Sequence, residues 1–160
     1  MNREELLAAT AEAASAAASV ADHLDRLTAR IGSRFPLQGS DLREWDDDPR
    51  ERLHAFLRLF EQLFDLTSRK LFRGVLVLSG ETITGMSLQN QFRRVEALGG
   101  IESAGRWIEL GAARNILVHD YSTDPDAQAA RANRAWNDAP DLTAATRSTI
   151  AWLGREEYLS

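Results

Sequence analysis

The residues best suited to chemistry lie in one short segment, Arg114-Asn115-Ile116-Leu117-Val118-His119-Asp120-Tyr121. An arginine five residues before a histidine places a permanent cation in the same segment as a group that titrates near neutral pH. Such a pair suits reactions at a phosphate, in which the imidazole transfers a proton and the guanidinium stabilises the developing negative charge. The segment therefore predicts phosphate chemistry near the end of a helix.

The spacing of this segment sets a geometric condition on the site. At about 100° per residue, Arg114 and His119 point about 140° apart on an ideal helix, whereas Asn115 and His119 share a face. Convergence of Arg114 and His119 therefore requires a helix that ends or distorts near His119, an arginine that reaches round, or a second copy of the chain. The helix is expected to end soon after His119, which places Tyr121 near the mouth of any such site.

Each of these residues also has a purely structural explanation. A histidine in the last turn of a helix interacts favourably with the helix dipole, and an arginine on a helix is usually a solvated surface residue. The combination is more informative, because the chain has only three histidines and two tyrosines. Chance assembly of all three residue types at these spacings should be rare, on the order of one per cent.

The composition predicts one soluble globular domain over residues 1–160, with 44% hydrophobic and 27% charged residues. There are no cysteines, which excludes disulfides and thiol chemistry. The formal net charge of −5 counts against nucleic-acid binding unless the chain has a local basic patch.

No membrane segment, metal or cofactor is expected. The alanine-rich stretch from Ala13 to Ala21 is flanked by acidic residues and lacks a basic region before it, so we expect neither a signal peptide nor a membrane span, and a cytoplasmic location. The three histidines lack the spacing of metal ligands, and the Asp46-Asp47-Asp48 run is typical of a helix start.

Helical periodicity extends along most of the chain. The first predicted helix is capped by Asn2 and ends at Gly32; its apolar stripe is Leu6, Thr10, Ala13, Ala17, Val20, Leu24, Leu27 and Ile31. Gly39 to Asp48 is predicted to be a loop with one turn around Leu42–Trp45. Asp48 and Pro49 predict the cap and first residue of a helix that runs to about Ser79.

Three further helices are predicted by their terminal residues. Ser87 caps a short helix that ends at Gly99, and Ser103 caps the helix that carries Arg114. Asp124 caps the last helix, which extends to about Gly154 with a break or kink at Pro140. No strand-like alternation is present, and the fold class is an all-α antiparallel bundle of about five helices.

The segment resembles the R-x-x-x-x-H-x-Y motif of the HEPN superfamily, and in particular HepT-type toxins that are paired with minimal nucleotidyltransferase antitoxins. The resemblance covers about Arg50 to Leu153, with the stretch Glu96–Ala104, then Trp107, Glu109-Leu110 and the motif itself, similar to the central segment of the family. One departure is Gly111-Ala112-Ala113, where related sequences often carry another arginine; this lowers the RNA affinity that we expect.

The resemblance implies a HEPN-like helical bundle, usually a homodimer, with metal-independent endoribonuclease activity. Arg114 and His119 would be the catalytic pair, and Asn115 would orient the site. Tyr121 matches the tyrosine that the partner nucleotidyltransferase modifies with AMP, which neutralises the toxin. His119 would accept the proton of a ribose 2′-hydroxyl, and the His119 of a second copy would act as the acid, giving a 2′,3′-cyclic phosphate and a 5′-hydroxyl.

Two other hypotheses remain open at this point. In one, the chain is a non-catalytic HEPN subunit that docks a nucleotidyltransferase, which agrees better with the acidic charge. In the other, it is a helical interaction protein and the motif is fortuitous. If RNA does bind, basic side chains would contact its phosphates, and the candidates are Arg69, Lys70, Arg73, Arg93, Arg94, Arg106, Arg131 and Arg134.

Overall fold

A computed structural model describes all residues, 1–160, and shows helices and no strands, so the all-α prediction is confirmed. The helices are α1 (Arg3–Ile31), α2 (Gly39–Glu44), α3 (Asp47–Leu66), α4 (Phe72–Leu78), α5 (Leu88–Leu98), α6 (Ala104–His119) and α7 (Pro125–Arg155). A 3₁₀ turn, Gly32–Arg34, follows α1, and a π-helical turn, Thr67–Leu71, joins α3 to α4. The predicted helices are present. Most of the predicted loop Gly39–Asp48 is instead the short helix α2, which is longer than the single turn predicted around Leu42–Trp45, and the predicted helix up to Ser79 is divided into α3 and α4 by the π-helical turn.

Side-chain caps begin most of the helices at the predicted residues. Asn2 and Glu5 form a reciprocal capping box, with nitrogen–oxygen distances of 2.9 and 2.8 Å. The hydroxyl groups of Ser87 and Ser103 and the carboxylate of Asp124 accept hydrogen bonds from the backbone of the first turns of α5, α6 and α7. Each cap satisfies a backbone N–H that the helix itself leaves unpaired.

The predicted start of α3 and the predicted break of α7 at Pro140 were wrong. Helix α3 begins at Asp47 after the cap Asp46, so Asp48 is not its cap, and Pro49 lies in the first turn rather than at the first position. Proline is tolerated there because first-turn N–H groups have no partner within the helix. Helix α7 continues through Pro140 without a break. Proline has no backbone N–H to donate to the carbonyl four residues earlier, which here is that of Trp136, and the helix continues without this one bond.

The core is one cluster of 31 buried residues to which every α-helix contributes. Its largest fully buried side chains include Trp107, Phe56, Phe60 and Phe72. Burial of each such aromatic or aliphatic side chain typically stabilises a fold by about 1.5–3 kcal/mol. Trp107 anchors α6 in this cluster and donates a hydrogen bond from Nε1 to Ser68 Oγ at 3.1 Å.

The π-helical turn at the centre of the long α3–α4 helix coincides with buried hydroxyl groups. Ser68 Oγ donates to the carbonyl oxygen of Phe64 at 2.8 Å, and Thr67 Oγ1 lies 2.9 Å from Thr146 Oγ1 of α7. Side-chain bonds to the helix carbonyls compete with the regular backbone ladder, and π turns often lie at functional sites. Asp65 precedes this turn and Arg69 lies within it, and both line a groove together with residues of α6 that belong to the motif.

No helix combines the length and the apolar composition that crossing a bilayer requires.

Candidate active site

Arg114 points from α6 toward α3 and is held there by an ion pair. Its Nη2 lies 2.8 Å from Asp65 Oδ2, and the arginine side chain is 16% exposed. Arg114 lies one residue after the buried Ala113 and therefore beside the core-facing stripe of α6. The contact joins two helices whose residues are 49 positions apart in the sequence. The arginine predicted as catalytic thus also has a structural role.

The remaining donors of Arg114 define what the guanidinium can still bind. Nη1 donates to Asn115 Oδ1 at 3.2 Å, and Nε is buried without a hydrogen-bond partner. Each terminal nitrogen carries two hydrogens, so one hydrogen on each remains for a further acceptor. Two parallel N–H donors match the geometry of two phosphate oxygens.

Two carboxylates on α3 surround this arginine. Glu61 lies one turn before Asp65, on the same side of the helix. Burial raises the pKa of the Glu61 carboxyl, the positive charge of Arg114 lowers it, and the negative charge of Asp65 raises it. Because burial is the largest of these effects, the charged form of Glu61 is destabilised in the fold. The acidic pair offsets much of the positive field that Arg114 would otherwise present.

His119 is the last residue of α6 and is exposed to solvent. The helix extends to this residue, and its backbone turns away only at Asp120. Asn115 lies one turn earlier on the same face, and it is also exposed. Its contact with Arg114 therefore connects the guanidinium to the face that carries His119. The groove that contains Arg114 and Asn115 does not include His119 among its lining residues.

Tyr121 lies in the short connection between α6 and α7, and 84% of its surface is exposed. The backbone around it is tied to α7, since Arg131 donates to the carbonyl oxygens of Asp120 and Ser122. Gln128 Nε2 adds a bond to the Ser122 carbonyl oxygen at 3.3 Å. The phenol is therefore presented to solvent on a connection whose flanking backbone is fixed.

A groove of about 440 Å³ lies beside Arg114, between the α3–α4 junction, the start of α5 and α6. Its apolar lining consists of Phe64, Leu88, Phe92, Ile108 and Ala112, and its polar lining includes Asp65, Arg69, Gln89, Arg114 and Asn115. Leu88 is 60% exposed although its side chain is apolar. Open apolar surface next to convergent polar groups is typical of binding sites.

Of the eight basic residues that were predicted to contact phosphates, four form ion pairs within the chain and four do not. Four are bound to carboxylates of the same chain: Arg94 to Glu81, Arg106 to Asp138, Asp141 and Glu109, Arg131 to Asp120, and Arg134 to Asp138. Arg69, Lys70, Arg73 and Arg93 have no carboxylate within ion-pair distance and are exposed. Of these four, Arg69 lines the groove, whereas Lys70, Arg73 and Arg93 lie outside its lining.

Sequence reasoning missed Asp65 and Glu61, which set the environment of Arg114. The available signal was the spacing of two acids four residues apart, beside the apolar stripe that contains Phe60 and Phe64. Acids at such positions are half-buried and require a cation or a raised pKa. The partner of these acids could not be read from local spacing, because it lies on another helix.

Comparisons of this chain with protein-family models, with curated proteins and with solved structures found no match.

Proposed function

We propose that this chain is a metal-independent endoribonuclease of the HEPN type, acting as a homodimeric toxin whose partner is a minimal nucleotidyltransferase antitoxin. The observation that carries the proposal is the row formed by Arg114, Asn115 and His119. Asn115 contacts the guanidinium at 3.2 Å and shares the exposed face of His119. The orienting amide and the imidazole thus share the solvent-facing side of α6, and the amide connects that side to the guanidinium, which is directed toward α3.

In the proposed reaction, His119 accepts the proton of a ribose 2′-hydroxyl. The 2′-oxygen then attacks the adjacent phosphorus, and the bond to the 5′-oxygen breaks. The free Nη hydrogens of Arg114 stabilise negative charge on the non-bridging oxygens. The His119 of a second copy protonates the leaving 5′-oxygen, because one imidazole cannot be base and acid in a single step. The products are a 2′,3′-cyclic phosphate and a 5′-hydroxyl.

The exposed apolar residues support docking of a second copy at this region. Apart from the N-terminal Met1, the large apolar or aromatic side chains with high exposure are Leu88, Ile116 and Tyr121. Ile116 and Tyr121 lie within the motif segment, whereas Leu88 lines the groove beside Arg114. Exposed apolar side chains are typical of an interaction surface, so Ile116 and Tyr121 support docking of a second copy at the motif segment.

Substitution of His119 tests the ribonuclease. His119→Ala should lower the rate of RNA cleavage by about 10²–10⁴-fold, the usual contribution of acid–base catalysis. His23→Ala, which changes another exposed histidine on α1, should leave the rate unchanged. Product analysis should detect 2′,3′-cyclic phosphate ends, and circular dichroism should show unchanged helix content. Cleavage by His119→Ala at the wild-type rate would refute the assignment.

A second candidate function is favoured by the exposure of Tyr121. As a non-catalytic partner subunit, the chain would present this phenol to a nucleotidyltransferase. The phenolic oxygen would attack the α-phosphorus of ATP, pyrophosphate would leave, and one AMP group would be added. The other tyrosine is a matched control, because Tyr158 is partly buried and donates to the carbonyl oxygen of Leu78 at 3.2 Å.

Mass spectrometry after incubation with a minimal nucleotidyltransferase and ATP measures this modification. One AMP should be added to wild type and to Tyr158→Phe, and none to Tyr121→Phe. Modification of a chain that does not cleave RNA would favour the partner subunit over the ribonuclease. If neither activity is found, the helical interaction protein is the remaining hypothesis.

A further inference from the structure

The groove beside Arg114 has the size and the lining of a site for a small, partly apolar group. Side chains of Phe64, Leu88, Phe92 and Ile108 form its apolar surface, and its volume is about 440 Å³. Pockets for small organic groups usually lie between about 300 and 1,000 Å³. The size and the lining therefore fit a small ring system.

Small residues on α6 keep this groove open. An added Cβ at Gly111 would lie 3.0 Å from Phe64 Cζ, so a side chain at this position would press on the aromatic wall. The next residue, Ala112, lines the groove and is exposed. A longer side chain at Ala112 would extend into the groove rather than into the core. Gly111 and Ala112 belong to the stretch in which related sequences often carry another arginine, and their small size therefore helps to form the groove.

Three polar side chains at the groove have free donors or acceptors that can form hydrogen bonds with the edge of a ligand. The Gln89 amide forms no hydrogen bond, and Asn115 uses only its oxygen, in the contact with Arg114. Arg69 has no carboxylate partner. Amides and guanidinium groups are the side chains that pair with the donors and acceptors of nucleobases, whereas unpaired bases also require apolar surface against their faces.

From these observations we infer that the groove binds one unpaired base of a single-stranded RNA, next to the phosphate that Arg114 contacts. This inference rests on the proposed ribonuclease function and assigns its substrate class. Arg69 at the groove has no carboxylate partner, and neither do Lys70, Arg73 and Arg93 on the adjoining turns and on α5; they supply the positive charge that an acidic chain needs to bind a polyanion. A double-stranded RNA keeps its bases stacked and cannot place one in the groove.

Binding measured without cleavage tests the inference. In a His119→Ala background, Ala112→Leu should weaken binding of fluorescein-labelled oligoadenylate roughly tenfold, as expected when one base loses its stacking site. The matched control is Ala16→Leu, at an exposed alanine of α1, which should bind as tightly as the parent. An oligonucleotide of abasic ribose phosphates should bind the parent and Ala112→Leu equally, because it has no base to place in the groove.

A salt titration separates phosphate contacts from base contacts. Arg69→Gln should reduce the slope of log binding constant against log salt concentration by about 0.7, the value for one lost phosphate contact on a single strand. Ala112→Leu should leave this slope unchanged. The two variants therefore report on different parts of the same ligand.

Three outcomes would overturn the inference, and they are distinguishable. Equal oligoadenylate binding by the parent, Ala112→Leu and Ala16→Leu, with wild-type cleavage intact, would show that no base enters the groove and would leave the ribonuclease standing. A lower sedimenting mass of Ala112→Leu would identify the groove as an interface between protein copies. Absence of both RNA binding and RNA cleavage in wild type would overturn the inference together with the proposed function.

Discussion

Arg114 combines a proposed catalytic role with a structural one, because its guanidinium is bound to Asp65 and is only 16% exposed. Removing Asp65 would leave a largely buried cation with the neutral amide of Asn115 as its hydrogen-bond acceptor and with the carboxyl group of Glu61 nearby. Since the side chain of Asp65 is itself 34% exposed, water can replace part of the lost interaction. The ion pair therefore contributes less than a fully buried one would.

Asp65→Ala should lower the free energy of unfolding by about 1–2 kcal/mol, measured by urea denaturation. The control is Asp22→Ala, which removes one of two exposed carboxylates that contact Arg147 and should change stability by less than about 0.5 kcal/mol. Equal effects of the two substitutions would show that Arg114 does not depend on Asp65 in the folded chain.

Helices α6 and α7 are joined by a cluster of charges around Arg106. The three guanidinium nitrogens of Arg106 contact Asp138, Asp141 and Glu109 at 2.8, 2.8 and 3.1 Å. The hydrogen bond with Asp138 is the largest of the effects that raise the pKa of Arg106. Asp138 is 8% exposed, and its Oδ2 forms no hydrogen bond. The orientation of α6, and with it the motif, depends on this cluster.

Arg106→Met should lower the free energy of unfolding by about 2–4 kcal/mol, because it keeps the aliphatic stem and leaves Asp138 buried without its main partner. Arg94→Met is the matched substitution at the exposed pair with Glu81 and should lower it by less than about 1 kcal/mol. Thermal denaturation followed by circular dichroism compares the two, and a larger loss in Arg94→Met would contradict the role given to the cluster.

Helix positions were predictable from the sequence where local chemistry determines them. Ser87, Ser103 and Asp124 cap their helices as expected, and Gly99 ends α5 with a positive φ of 92° that glycine adopts readily. The predicted cap at Asp48 and the predicted break at Pro140 were wrong because local sequence alone does not determine them. Proline only removes one backbone donor, and whether that matters depends on what surrounds the helix, which the local sequence does not specify.

The candidate site was predictable only in part. The sequence identifies Arg114, Asn115, His119 and Tyr121, because their spacing within one segment can be read directly. It does not identify Asp65, whose contact with Arg114 joins two separate helices, nor the groove, which forms where three elements meet. The π-helical turn was also missed, since it depends on tertiary contacts of Thr67 and Ser68.

The folded chain as a whole is built around one continuous core, and α7 crosses much of it. Helix α7 contacts α1, α2, α3 and α6 and buries residues along its whole length, from Ala129 to Leu153. Its attachment therefore depends on many apolar contacts along the helix rather than on the short connection that precedes it. The association of α7 with the other helices therefore does not require an intact α6–α7 connection.

The exposed Tyr121 between α6 and α7 is a site at which a protease can cleave the chain while the two fragments remain associated. Chymotrypsin cleaves after aromatic residues, and the segment lies outside any helix. Brief digestion should make its first internal cut after Tyr121, giving fragments 1–121 and 122–160 in a denaturing gel. Gel filtration under native conditions should recover both in one peak, since the apolar side of α7 remains covered. Separation of the fragments would show that the peptide bond at this point is needed to retain α7.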